Sequence, residues 1–251
     1  MKKLISFTIK AEFGFFKKPD INDKIFISYN MIHKPLLLGI LGAIMGYDGY
    51  AQSKDTTQFP EYYQKLKDIR MAIAPSSENG GIFKKEFILF NNTTNGQTAN
   101  ITEQTLINPA YRIYLELDNE NEEHIKLIDS LKNHKAMYLP YMGKNEFSLW
   151  WDNFHEHTVF EQVKEKEQFQ VVTIIPKDEK FILKNSGYKE RTTNYFYLFE
   201  RLPIGWSENP RQYKYQDFLY TNAVFRSTNS FASVSHIGEL IESDKGVVCL
   251  F

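Results

Sequence analysis

The chain has one cysteine, Cys249, which excludes a disulfide framework and any zinc site built from several thiolates. Net charge is nearly absent too: 30 Lys and Arg stand against 31 Asp and Glu, leaving −1 at pH 7. That excludes a polyanion binder working through bulk positive charge. It also excludes a disordered tail, which needs few apolar residues and a strong charge imbalance. Long apolar runs are missing. The longest, Pro35 to Gly46, falls well short of the ~20 residues of a membrane span. Met1-Lys2-Lys3 imitates the start of a signal peptide, but Lys10 and Glu12 cut the apolar stretch behind it. A cytoplasmic location without membrane contact is expected. Internal repeats, a G-x-S-x-G elbow, a phosphate loop, an H-E-x-x-H helix and an EF-hand loop are all lacking.

What is present is a 251-residue chain, 42% hydrophobic, enough for one large domain or two small ones. It is rich in aromatics, with 20 Phe, 15 Tyr and 3 Trp. Aromatic side chains fill cores, but they also build interfaces and stack on unpaired bases. Composition does not separate those uses.

Ile5, Phe7, Ile9 and Ala11 alternate with Ser6, Thr8 and Lys10, which predicts a strand with one buried face. Phe13 to Pro19 follows as a turn with three aromatics and two lysines. From Lys2 to Lys18 five lysines face only Glu12, a local charge of +4. Pro35 suits a first helical turn, and the apolar stretch to Gly46 predicts a buried helix. Glycines 39, 42 and 46 each cost ~1 kcal/mol there, so close packing of helix on sheet, or contact with a ligand, should need their small size. Residues 61–74 begin helical and end as a strand. Lys84 to Phe90 is a strand, and Asn95-Gly96 favours a tight hairpin turn, so 82–106 is expected to project as an arm with a polar Asn/Thr-rich tip. Tyr111–Leu117 is a strand. Glu122–His134 is a helix with Ile125, Ile128 and Leu131 at helical spacing, and Ala136–Leu139 is a short closing strand.

The predicted fold class is therefore α+β: a ferredoxin-like, RNA-recognition-type β-α-β-β-α-β domain over residues 1–150 with an inserted hairpin. Beyond Trp151 the texture changes to strands at His157–Val163, Phe169–Ile175, Thr192–Leu202 and Tyr213–Phe225, a β-rich region over 151–251.

Few residues suggest chemistry. His155-Glu156-His157 reads as a solvated strand face rather than a metal pair, Cys249 as a buried inert thiol, and Glu120 to Glu123 as the acidic first turn of a helix. Polyanion binding remains. Lys10, Lys17 and Lys18 interleave with Phe13, Phe15 and Phe16, Lys84 and Lys85 start the arm, and Lys144 lies in a Gly-containing turn. Lysines neutralise phosphate, aromatics stack on bases, and such turns expose backbone N–H groups. The aromatic signature of a standard RNA-recognition sheet is absent from every strand.

Ser28-Tyr29 followed by Lys34 to Gly46, a Pro-led turn and a small-residue helix, resembles the N-terminal signature of the Cas-five family, CRISPR-associated proteins of the repeat-associated (RAMP) superfamily. Asn108 to Tyr114, Pro140 to Phe147, Glu200-Arg201-Leu202-Pro203 and Val247 to Phe251 agree in order, so the resemblance covers nearly the whole chain. It is nearest the type I-B branch. It implies a non-catalytic subunit of the type I effector Cascade, holding the 5′ handle of the CRISPR RNA and capping the backbone filament in antiviral defence. The arm at 82–106 then corresponds to the family's thumb. The implied partners are the CRISPR RNA, Cas-seven-type backbone subunits, the Cas-eight-type large subunit and, through the complex, target DNA. No cofactor and no metal is implied.

On this reading phosphate contacts come from Lys10, Lys17, Lys18, His33, Lys34 and Lys144, and stacking from Phe13, Phe15, Tyr29 and Tyr141. Gly143 and Asn145 offer backbone N–H groups, and Lys84 and Lys85 serve the thumb. In the type I-C branch the same subunit is a metal-independent endoribonuclease. Tyr29, His33 and Lys34 are the right residue types for that alternative. The Lys-His pair that those nucleases carry after the arm is absent, and His134-Lys135 has the reverse order. A second alternative is a protein–protein scaffold without RNA contact.

Overall fold

The computed structural model describes residues 1–19, 25–53, 55, 57–94, 97–163, 168–177, 194–226 and 238–251. In chain order they form β1 (Lys2–Ala11), β2 (Phe13–Gly14), β3 (Ile25–Phe26), α1 (Lys34–Met45), α2 (Glu61–Leu66), β4 (Arg70–Pro75), β5 (Lys84–Thr94), β6 (Gln97–Ile107), β7 (Ala110–Asp118), α3 (Glu122–Lys132) and β8 (Leu149–Glu156). Then follow β9 (Phe160–Gln162), β10 (Gln168–Phe169), β11 (Ile175–Lys177), β12 (Tyr197–Trp206), β13 (Tyr213–Thr221), β14 (Phe225–Arg226), β15 (Glu239–Ser243) and β16 (Gly246–Leu250).

The alternation in β1 does what it predicts. Ile5, Phe7 and Ile9 are fully buried on one face and pair across to Leu115, Ile113 and Tyr111 of β7. Burying side chains of this size contributes roughly 1.5–3 kcal/mol each. The sheet order is β4-β7-β1-β8 with every neighbour antiparallel, the ferredoxin-like arrangement. α1 and α3 cover one face. His33 caps α1 by accepting the Leu36 N–H at Nδ1, and Asn121 caps α3 by accepting from Glu123 and His124.

Three expectations are corrected. Ala136–Leu139 is not the fourth strand, since Met137 and Leu139 are about 70% exposed and the segment donates N–H groups from Met137 and Tyr138 to the Ile44 and Ala43 carbonyls at the end of α1. The carbonyls of the last helical turn, under-satisfied at a helix C-terminus, hold the segment there rather than at a sheet edge. The fourth strand is β8, paired to β1. Ile125 is exposed: α3 buries Leu131 as expected and packs Ile128 partly against the core, but Leu127 is the other fully buried side chain. Gly42 admits α2 rather than the sheet: a Cβ there would lie 2.4 Å from Tyr62 Cβ.

Residues 84–107 form the inserted hairpin, β5 pairing β6 from Lys84↔Ile107 to Thr94↔Gln97. Asn95-Gly96 lies outside the described residues, as do the side chains of Asn92, Thr94 and Gln97. The other edge of β6 takes β2 antiparallel at its base and β3 in parallel farther out, so the hairpin is braced by the aromatic segment that precedes α1.

β8 runs across residue 150. Leu202, Phe218 and Phe251 share one core with Ile5 and Leu37, and Phe251 exchanges backbone hydrogen bonds with Met71 on the β4 edge. β15 and β16 lie across the other face of the central sheet, where Ile241, Val248 and Leu250 meet Leu4, Ala72 and Tyr114. The predicted strand from Thr192 begins among residues outside those described, and β12 starts at Tyr197.

Candidate nucleic-acid interface

Along the hairpin a groove of about 880 Å³ opens between β5–β6, the start of α1 and the loop from Pro140 to Phe147. Of the residues singled out in the sequence, Phe15, Lys17, His33, Gly143 and Lys144 line it. Phe13 stands beside it, its ring 5.7 Å from that of Phe147, which also lines the groove.

Gly143 explains the loop. Its φ is +90°, and a Cβ would fall 1.8 Å from the Phe15 carbonyl oxygen. Only glycine lets this turn lie against the 15–16 segment, where the Phe15 N–H donates to Met142 O at 3.0 Å. The turn carries Lys144 into the groove. Its Nζ donates to both Glu103 oxygens, at 3.2 and 3.3 Å, and lies 4.4 Å from the Phe90 ring centroid and 5.4 Å from that of Phe147. The Glu103 side chain is only 3% exposed. Lys17 holds its ammonium 3.6 Å over Phe26. With Glu146 also on the lining, the groove's charges balance, and its character is aromatic with two ring-supported cations.

Beneath it, buried Glu200 accepts the Asn30 and Met31 N–H groups, each at 2.9 Å, and its Oε1 lies 3.7 Å from Lys18 Nζ. Burial raises the Glu200 carboxyl, opposed by those donors and by the charges of Lys18 and Lys85. Burial likewise lowers Lys85, with Glu200 opposing. Lys18 and Lys85 thus share one buried carboxylate.

The other expected residues lie elsewhere. Lys10 is paired with Asp152 at 2.7 Å on the sheet face of Ser6 and Thr8, away from the groove. Lys84 pairs with Glu86 at 2.6 Å. Tyr141 and Asn145 are exposed but do not line the groove. Tyr29 is 3% exposed, with its ring edge-on to His33, so it presents no open face for stacking. His33, although on the groove lining, is buried between Tyr29 and Tyr213, and burial drives its imidazole down to about 3. Lys34 donates to the Phe251 carbonyl at 3.3 Å, and burial brings it down to about 8, Asp68 opposing and Arg70 adding. Cys249 is buried as expected, its thiol pushed up to about 12 by burial.

Sequence reasoning missed Phe26, Phe90 and Glu103. Glu103 reads as one more polar residue of a hairpin strand, and nothing local tells that Lys144, 41 residues later, returns to it. The solvated strand face expected at His155-Glu156-His157 fails for His157, whose side chain is fully buried.

No family model and no curated relative matches the chain. Among solved structures, a CRISPR protein from Archaeoglobus fulgidus matches over 100% of this chain and 99% of its own, at 13% identity and TM-score 0.50. A chain of a CRISPR RNA-guided surveillance complex matches at 10% identity and TM-score 0.46, over 92% of this chain and 100% of that one. A chain of the type III-B Cmr-beta complex, bound to cognate target RNA and AMPPnP, matches at 10% and 0.48, over 89% and 86%. At such identities the likeness to the A. fulgidus protein is one of fold, and it extends over the full length of both chains.

Proposed function

We propose that this chain is a non-catalytic RNA-binding subunit of a CRISPR RNA-guided effector complex. In it the protein holds the 5′ handle of the CRISPR RNA and caps the backbone filament of a type I, I-B-like Cascade. The observation that carries this reading is the aromatic, two-lysine groove along a hairpin inserted in a ferredoxin-like sheet. Bases stack on its rings while Lys17 and Lys144 meet phosphates. The full-length fold match to a CRISPR protein supports the same class. Phe87 and Leu89, 61% and 65% exposed on the hairpin, offer apolar contacts to a neighbouring Cas-seven-type subunit, and the Cas-eight-type subunit and target DNA are reached through the complex.

The candidate trio is not set up for catalysis. His33 spends Nδ1 on the helix cap and, lowered to about 3 by burial, is an uncharged and weakly basic imidazole near neutral pH, Tyr29 is packed in the core, and Lys34 faces a backbone carbonyl. None of the three is poised to move a proton at an RNA 2′-hydroxyl.

The test incubates the protein with labelled CRISPR-repeat RNA without added metal and reads gel mobility and RNA length over time. A salt-sensitive shift with intact RNA, weakened in Lys17→Ala, is expected. Cleavage lost in His33→Ala would establish the endoribonuclease instead, and RNA whose mobility never shifts would favour the scaffold.

A further inference from the structure

A second cluster lies on the opposite face of the central sheet. Along β8 the side chains alternate until a bulge: Thr8 pairs with Asp152 but Ser6 with His155, so β8 carries one extra residue between them. Asn153 absorbs it with φ +53°. Bulges re-aim side chains, and this one turns His155 and His157 to the face of Ser6, away from the helices. There they meet Asp244, in the turn between β15 and β16. Asp244 is held in place by the Thr158 and Val159 N–H groups, at 3.0 and 2.8 Å, and by the Thr158 hydroxyl at 3.1 Å.

We propose that His155 Nε2, His157 Nδ1 and the Asp244 carboxylate form a site for a divalent transition metal, best suited to Zn²⁺, with water in the fourth position. His155 Nε2 lies 3.0 Å and His157 Nδ1 3.8 Å from Asp244 Oδ2, and all three ligand atoms fall within 4.8 Å of one another. A tetrahedral ion with bonds of about 2.0–2.2 Å needs ligand atoms roughly 3.3–3.6 Å apart, so the 3.8 Å edge and the widest edge both have to close while the 3.0 Å edge opens slightly.

The independent pointer is His157. Its side chain is fully buried, and Nδ1 has no hydrogen-bond partner among the described residues while facing a carboxylate beyond hydrogen-bond reach. Buried polar atoms are rarely left so, and a cation between the two satisfies both. The other ring nitrogen, Nε2, is 2.7 Å from Ser6 Oγ, which in turn accepts from Arg112 Nη2 at 2.6 Å. A metal-bound imidazole with its second nitrogen donating to a fixed oxygen is the usual outer shell of such sites. Two imidazoles and one carboxylate select a borderline metal over Mg²⁺ or Ca²⁺. The positive charges of Arg112 and Lys245 act against the ion and limit its affinity. Bound there, it ties the bulged edge strand β8 to the β15–β16 turn and fastens that hairpin across the sheet.

The test uses untagged full-length protein freed of metal with a chelator, titrated with Zn²⁺ by calorimetry and with Co²⁺ by visible absorption. One equivalent is expected to bind, Co²⁺ giving the intense bands of tetrahedral coordination, and Zn²⁺ at 100 times its Kd raising Tm by roughly 5 °C or more. His155→Ala should abolish all three signals and His124→Ala none. Asp244→Asn should also abolish them, but it loosens the turn as well. The half-exposed His155, which caps nothing, is therefore the deciding variant. No binding by folded wild-type protein, or equal binding by folded His155→Ala, would overturn the site.

Discussion

Gly143→Ala is the sharpest perturbation of the groove. The new methyl would sit 1.8 Å from the Phe15 carbonyl oxygen, so the loop must retreat by more than an ångström from backbone that has no side-chain freedom to yield. At φ +90° the substituted residue also carries backbone strain of about 1–2 kcal/mol. Retreat breaks the Phe15 N–H to Met142 O bond, worth about 1 kcal/mol. Together these give a loss of roughly 3 kcal/mol, which lowers Tm by roughly 6–12 °C in a chain of this size. Urea unfolding followed by circular dichroism measures it, as a lower midpoint at unchanged slope. Gly49→Ala is the control, because its Cβ meets only the end of the flexible Gln52 side chain at 3.2 Å. A Gly143→Ala protein within about 0.5 kcal/mol of wild type would refute the reasoning. The same variant displaces Lys144 and should weaken RNA binding, whereas Gly49→Ala should not.

Three further outcomes follow from particular contacts. Lys144→Ala leaves Glu103 buried with only the Thr105 hydroxyl at 3.3 Å, and should cost about 2–3 kcal/mol in denaturant unfolding, less than a fully buried pair because Lys144 is partly exposed. Adding Glu103→Gln should recover most of that loss. Gly42→Ala should destabilise by about 1–3 kcal/mol although alanine is the better helix former, because Tyr62 Cβ stands 2.4 Å from the new methyl; a gain in Tm would contradict the α1–α2 packing. The buried His33 is neutral when folded, down to about 3, while the unfolded chain takes up that proton near 6.5. Its contribution is therefore complete above pH 6.5 and lost as pH falls towards 3. His33→Asn keeps an acceptor for the Leu36 N–H and should flatten that acid limb, read from unfolding midpoints between pH 7 and 4.

The central sheet was legible because its signals are local. Period-two alternation marks β1 and β7, Pro35 and an apolar run mark α1, and Asn95-Gly96 between two strand-like runs announces the hairpin. The fourth strand was not, because Ala136–Leu139 is apolar and correctly spaced yet serves as a cap for α1, a role that only the position of Ile44 and Ala43 creates. The groove was half legible. Phe15, Lys17, Gly143 and Lys144 stand out as an aromatic-basic segment and a Gly turn, and the fold brings them together. Which lysines are already engaged depends on partners far along the chain: Asp152 for Lys10 and the Phe251 carbonyl for Lys34. The turn of His155 and His157 to one face depends on a single extra residue, which strand periodicity does not register.

That RNA lies in the groove along the hairpin is tested most directly by photo-crosslinking of CRISPR-repeat RNA to the protein, followed by mass spectrometry of the attached peptides. Crosslinks are expected within Phe13–Lys17, at Phe90 and within Gly143–Phe147. Efficient crosslinks confined to other surfaces, with these three segments unlabelled, would contradict it.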